Sequence, residues 1–452
     1  MKKSLLWLVV VLLSMSMIAV FSLAGCKGEE AAAEEEVAEE EVAEEEEEVV
    51  EELAGGEDVT LTFGSWRTED IALWDEMNAN FTAIYPNVTI SFTPTKNTEY
   101  DAALLSALET GTGPDVMFLR SFDDGEAVYD GGYLAELNDE VPVLADLASS
   151  AINAWATDDG VIYGVPMAGV THGIYYNKAI FEQYGLEEPA TWAEFIEICQ
   201  TLKDGGETVL AQGTNDRWDL YEVMFSGLGA NFYGGEASRV ALLAGEMKFT
   251  DPKFVAAFAA MDELQPFLPE GYEAITYTDM QQMFGTGQAA MYIGGSWEIA
   301  TFEGLGMTSD DVGWFAPPVE NAGDTLQYCF HVDFGVGVNK DSANLDAALA
   351  YANWLAAPEF ATLFMNATPG FYTYIPGDYT LENPLATEML DAANGADLTI
   401  RTTWEKLMSG VPSGYDLQCD AMVGLFTDDY TPEEAAAYIE DGLEQWYEPL
   451  QD

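Results

Sequence analysis

From residue 59 the spacing of apolar positions changes period several times in quick succession. Val59-Thr-Leu-Thr-Phe63 alternates as a half-buried strand does, residues 71–81 carry apolar side chains at helical spacing, and Val88-Thr-Ile-Ser-Phe92 alternates again. A second helical stretch over residues 100–108 leads through Gly111-Thr-Gly-Pro114 into a strand at 115–119. Strands and helices in alternation build a mostly parallel sheet covered by helices, so the class is α/β. In open sheets of that class ligands gather beyond the carboxyl ends of the strands, which points to residues 64–67, 95–97 and 120–123.

A further unit begins with a strand at 173–177, continues through a helix after Thr191-Trp192 and includes a strand at 289–293. Beyond Pro317-Pro318 come a glycine-alternating strand at 334–338 and an amphipathic helix at 346–355, with no internal repeat. The 452 residues leave room for two domains of ordinary size, and 48% hydrophobic with 12% aromatic content is ample for real cores.

Charge narrows the partners. With 80 acidic against 15 basic residues the formal charge is -65, which repels nucleic acid and anionic bilayers. Such an acid-rich surface fits a saline medium, where salt screens the self-repulsion. Two histidines are too few to expect a metal centre, and no nucleophile elbow, P-loop or dinucleotide fingerprint is present, so no cofactor is expected.

The amino terminus reads differently from the rest. Met1-Lys2-Lys3 precedes an apolar run to Leu23, and Leu23-Ala24-Gly25-Cys26 resembles a bacterial lipobox. Residues 1–26 then form a lipoprotein signal peptide, with Cys26 as the acylated anchor. Residues 27–58, rich in glutamate with alanine and valine, are low-complexity; like charges at helical spacing disfavour a helix and favour an extended acidic tether. Cys199, Cys329 and Cys419 match no metal spacing, and a Cys329–Cys419 disulfide stays open in an exported chain.

Several segments together resemble the family 1 extracellular solute-binding proteins, the maltose-binding-protein-like group of ABC transporter sugar-binding lipoproteins. They are Gly111-Thr-Gly-Pro-Asp-Val116, Gly131-Gly-Tyr-Leu-Ala135, Tyr163-Gly-Val-Pro166, Tyr175-Tyr-Asn-Lys178, Thr191-Trp192, Gly285-Thr-Gly-Gln-Ala-Ala-Met291 and Gly294-Gly-Ser-Trp297. The resemblance implies a two-lobed type II periplasmic-binding-protein fold with a hinge and an interlobe cleft. It places residues 59–168 and 316–372 in the N-terminal lobe and 172–312 and 378–452 in the C-terminal lobe. Hinges then fall near 166–171, 312–317 and 371–376. It also implies a monomer that captures a mono- or oligosaccharide without catalysis and delivers it to ABC transporter permease subunits. The protein would sit in the cell envelope, held to the membrane through its lipid anchor only.

A sugar has apolar CH faces and a rim of hydroxyls, so its site wants aromatic platforms beside fixed donors and acceptors. Trp297 ends the glycine run, with Glu298 beside it, and the resemblance gives that tryptophan a stacking role. Trp66 follows the first strand, and Trp218 lies in a polar loop. Of the five arginines, Arg67, Arg120 and Arg217 fall in the nominated loops, Arg401 is a further candidate and Arg239 is not; the forks of the four candidates suit vicinal hydroxyls or the carboxylate of an acidic sugar. The resemblance gives Asp123 the place of a sugar-binding acid. Thr171 and His172 follow the first hinge, His331 and Asp333 lie on the crossing strand, and Tyr372 and Tyr374 lie by the last hinge. The competing readings are an exported carbohydrate-active enzyme of the glycoside hydrolase type, a surface adhesin, and a binding protein for a non-sugar solute.

Overall fold

The alternating segment at residues 59–63 forms the first strand of an eight-stranded sheet, β1 (Val59–Ser65), followed by β2 (Val88–Pro94) and β3 (Val116–Arg120). The computed structural model describes residues 56–451; the signal peptide, Cys26 and nearly all of the acidic tether lie outside the described residues. β1 pairs in parallel with both β2 and β3, joined by helices Ile71–Ile84 and Asn97–Glu109. The remaining strands are β4 (Val165–Asn177), β5 (Met291–Gly295), β6 (Val312–Phe315), β7 (Gln327–Val338) and β8 (Asp397–Thr399). The order is β2-β1-β3-β7-β4-β5, with β6 on β4 and β8 on β7.

The two central strands depart most from the pattern of the sequence. β4 begins at Val165, before the segment expected at 173, and β7 begins at Gln327, before the segment expected at 334. Both are covered on two sides; β4 is buried without a break from Val165 to Tyr175, and a strand with no wet face does not alternate. Pro166 is tolerated because the register with β7 shifts between Pro166 and Gly169. Val165 to Thr171 pair with Val336 to Phe330 of β7, whereas His172 to Asn177 pair with β5 and β6. The far end of β7, Gln327 to Cys329, pairs with β8. One strand thus links two halves of the sheet, and its neighbour does the same in the opposite direction.

Each half has an aromatic core. In the first, Phe118 stacks on Phe334 at 4.2 Å between ring centroids, and Phe63 meets Trp74 edge-on at 5.1 Å. In the second, Tyr175, Phe284, Tyr292, Phe302, Trp314 and Tyr328 pack together around helix Tyr277–Gly285. Helix Trp192–Asp204 starts in a capping box, in which Thr191 and Glu194 each accept the other's backbone N–H. Cys329 and Cys419 are both buried free thiols, so the disulfide left open by the sequence is not formed. Among the described residues no helix is long and apolar enough to cross a membrane.

Candidate functional site

The centre of the molecule lies where β4 and β7 run side by side between the two halves. Side chains alternate along a strand, so Cys329, His331 and Asp333 share one face of β7, and the pairing of Thr171 with Phe330 brings His172 of β4 next to them. The two imidazoles stand 5.1 Å apart between ring centroids, each about 1% exposed. Burial, followed by the charge of Arg401, pushes both histidines well below their ordinary range, so both are neutral. Gly227 makes room for His172, because a Cβ there would come within 2.8 Å of the histidine Cβ. Gly227 belongs to a π-helix, Leu220–Leu228, whose wide turn packs against this region.

From this centre aromatic rings spread outward. His331 lies 4.8 Å from Trp404, whose indole meets Phe122 at 5.5 Å and carries the Arg401 guanidinium at 4.5 Å. His172 meets Trp297 at 5.5 Å, and Trp297 faces Trp218 at 6.5 Å with an angle of 39° between the planes. Tyr277 joins those two indoles: it lies 4.9 Å from Trp218 and accepts a hydrogen bond from Trp297 Nε1 at 2.9 Å. Its own hydroxyl donates to Glu298, which also accepts from Tyr292 at 2.8 Å and Gln281 at 2.9 Å. Burial raises the Glu298 carboxyl above its ordinary range against the pull of these donors.

The charges around the centre are nearly all paired. Arg67 binds Asp70 at 2.7 Å and Glu69 at 3.1 Å and lies over the Phe371 ring at 4.9 Å. Arg120 covers the Trp66 ring at 3.8 Å and reaches Asp101 at 3.3 Å. Arg401 binds Glu222 at 2.7 Å, and Glu222 accepts from the Tyr415 hydroxyl at 2.6 Å. Asp333 differs: its side chain is only partly buried, and among the described residues its carboxylate has no hydrogen-bond partner. Burial raises its proton affinity, while Arg401, Arg120 and Arg67 pull it down. A partly exposed acceptor without a protein donor, within the field of Arg401, Arg120 and Arg67, is open to a ligand hydroxyl.

The residues nominated from the sequence divide clearly. Trp218, Trp297, His172, Asp333, Arg67, Arg120 and Arg401 surround one centre, and the Tyr374 phenol is pushed up by burial and then by the charge of the nearby Asp333. Asp123 opens helix Asp123–Asp130, next to Phe122, which holds a φ of 60°. The other nominated side chains are engaged within the protein. The Thr171 hydroxyl is committed to the Cys329 carbonyl at 2.9 Å, and Tyr372 is buried with its hydroxyl on Ala386 O at 2.9 Å. Arg217 turns to Asp416 and Asp420. Trp66, 5% exposed, lies among Tyr100, Phe118 and Phe334 under Arg120. Glu298 is fully buried and acts through Tyr277.

Sequence reasoning missed Trp404, Tyr277 and Glu222. Glu222 is one of 80 acids with no local mark, and Tyr277 opens an ordinary amphipathic helix. Trp404 did carry a signal, three residues after one of the few arginines in Arg401-Thr-Thr-Trp404. A cavity of about 570 Å³ lined by Asn177, Lys178, Gly287 and Asp311 opens at the end of β4, remote from the histidines.

This architecture is that of the two-lobed solute-binding proteins. A solved chitin oligosaccharide binding protein matches 87% of this chain over 100% of its own length, with a TM-score of 0.71 at 22% identity. The model of the bacterial extracellular solute-binding protein family matches residues 64–362, and the chain belongs to that family. It is 28% identical over 254 residues to an uncharacterized ABC transporter extracellular-binding protein of Pyrococcus horikoshii, covering 53% of this chain and 57% of that protein. It is 24% identical over 281 residues to the multiple sugar-binding protein of Streptococcus mutans serotype c, covering 60% and 64%. The chain thus matches about three fifths of the length of these curated relatives.

Proposed function

We propose that the protein is the substrate-binding lipoprotein of an ABC importer, that it captures a neutral carbohydrate in the cleft between its lobes, and that it catalyses no reaction. The observation that carries the reading is the juxtaposition of two tilted indoles, Trp218 and Trp297, with a carboxylate, Asp333, that has no hydrogen-bond partner among the described residues. Rings of this kind bind the CH faces of a pyranose, and the free acceptor takes its hydroxyls. A relative that binds multiple sugars and a neighbour that binds chitin oligosaccharide support the same class of ligand.

Neutral ligand is favoured over acidic. Arg67, Arg120, Arg217 and Arg401 each already face a carboxylate, so an anionic sugar would have to displace one of them. In this reading the lobes cross near residues 166–171 in β4, in β7 near Phe330, whose strand runs on to pair with β8, and near 371–376. Closure is driven by contacts the ligand makes with both lobes at once. Cys26 holds the protein to the membrane, and the closed form is what the permease subunits receive.

A melting-shift series tests the reading. Neutral mono- and oligosaccharides are expected to raise the melting temperature by several degrees, since a ligand that binds only the folded state stabilises it. Uronic acids of the same size leave it unchanged. A shift confined to uronic acids overturns the neutral assignment, and a shift from a non-sugar solute alone overturns carbohydrate. Release of reducing ends from oligosaccharides at enzymatic turnover would instead establish the hydrolase.

A further inference from the structure

The chain has two histidines, and the fold places them next to each other and next to a cysteine. All three side chains are buried, and none of the four ring nitrogens has a hydrogen-bond partner among the described residues. Buried imidazoles ordinarily bond through at least one nitrogen, so four free positions in one spot call for a ligand. The ligating atoms of His172, Cys329 and His331 all lie within 4.8 Å of one another. Around a single ion with bonds of about 2.0–2.3 Å such atoms stand roughly 3.5 Å apart, so side-chain movements of less than about 1 Å would close the set.

The strands explain the convergence. Cys329 and His331 are alternate residues of β7 and so share a face, and the register sets His172 opposite Cys329 on β4. The ladder between β4 and β7 fixes the spacing of the three side chains through the backbone.

Charge and ligand number select the ion. A thiolate and two neutral imidazoles carry one negative charge, and the Arg401 guanidinium is close enough to act on all three residues. A divalent ion would leave an excess positive charge beside that arginine in a buried site, whereas a monovalent ion leaves none. No fourth His, Cys, Asp or Glu joins the group among the described residues. A soft, monovalent ion content with three ligands and a thiolate is Cu(I). We propose that His172, Cys329 and His331 form a buried three-coordinate site for Cu(I). Binding forms the Cu–S bond and two Cu–N bonds and releases the thiol proton, with no change of oxidation state. The ion would lie beneath both Trp297 and Trp404, since His172 and His331 contact those rings.

The test uses the full chain carrying Cys26→Ser, Cys199→Ala and Cys419→Ala, so that Cys329 is the sole thiol. Cu(I) is added without oxygen in competition with a chromophoric Cu(I) chelator, and X-ray absorption reads the ligand set. One equivalent is expected to be retained with one sulfur and two nitrogen neighbours, and tryptophan fluorescence to be quenched in step. Cys329→Ser and, separately, His331→Gln are expected to weaken retention at least 100-fold, with a melt of each metal-free variant showing that it is folded. Failure of the sole-thiol protein to compete with the chelator overturns the proposal, whatever the variants do. So does retention that survives Cys329→Ser, or retention of Zn2+ with no retention of Cu(I).

Discussion

The two sides of the cleft are built from the same kinds of residue and use them in opposite ways. On the side of β1 and β3, Trp66 is packed edge-on against Tyr100, Phe118 and Phe334, and Arg120 closes its remaining face at 3.8 Å. On the side of β5 and the π-helix, Trp218 is half-buried, and Trp297 and Tyr277 are held by hydrogen bonds that end on the buried Glu298. One wall has finished its aromatic surface with its own cation. The other leaves Trp218 half-buried beside the buried Trp297 and spends its polar contacts on holding Trp297 and Tyr277 in place. A tryptophan after a strand is therefore a platform or a core residue according to what covers its face.

Trp66→Ala attacks the finished wall and should give the largest effect, a loss of about 3–5 kcal/mol of stability measured by denaturant unfolding. Glu298→Ala attacks the support of the open wall. It orphans donors on Tyr277, Tyr292 and Gln281 and should cost about 3 kcal/mol, whereas Glu298→Gln, which keeps an acceptor, should cost less. Trp218→Ala and Asp333→Asn should each weaken carbohydrate binding by ~10- to 100-fold in calorimetric titration while shifting stability by less than about 1 kcal/mol. Large unfolding in Trp218→Ala, or unimpaired binding in both, would erase the contrast between the walls.

A smaller effect is expected from pH. Asp219, beside the π-helix, is buried with one carboxylate oxygen unpartnered among the described residues, and burial raises its pKa to about 8. The folded state then binds the proton more tightly than the unfolded chain, so this group's contribution is complete at low pH and fades as the pH climbs from about 4 to about 8. Asp219→Asn should remove that slope and gain roughly 2 kcal/mol at pH 8 relative to the parent, read from melts across the range. Smallest of all, Arg217→Ala removes half-exposed ion pairs to Asp416 and Asp420 and should change stability by under about 1 kcal/mol.

The edges of the fold were more legible than its middle. β1 and β2 and the helix between them were marked by alternation and helical spacing because each has a wet face. β4 and β7 have none, so their extra length was hidden, and with it the meeting of His172, Cys329 and His331, which comes from register and not from spacing. Trp297 was readable because Gly295 precedes it; a Cβ there would stand 2.2 Å from the indole. Tyr277 and Glu222 were not readable, since their value lies in partners distant along the chain. The count of histidines says nothing of their spacing, since register alone sets the two side by side.

The unbroken course of β4 and β7 bears on how the lobes can move. A pair of hydrogen-bonded strands resists sliding along its ladder, since every bond would have to break together, yet it yields readily to twist and bend. Motion routed through such a ribbon is funnelled into few coordinates, so an open and a closed protein differ by one concerted rotation and not by a diffuse search. Little orientational disorder is then left to be frozen out when a ligand arrives.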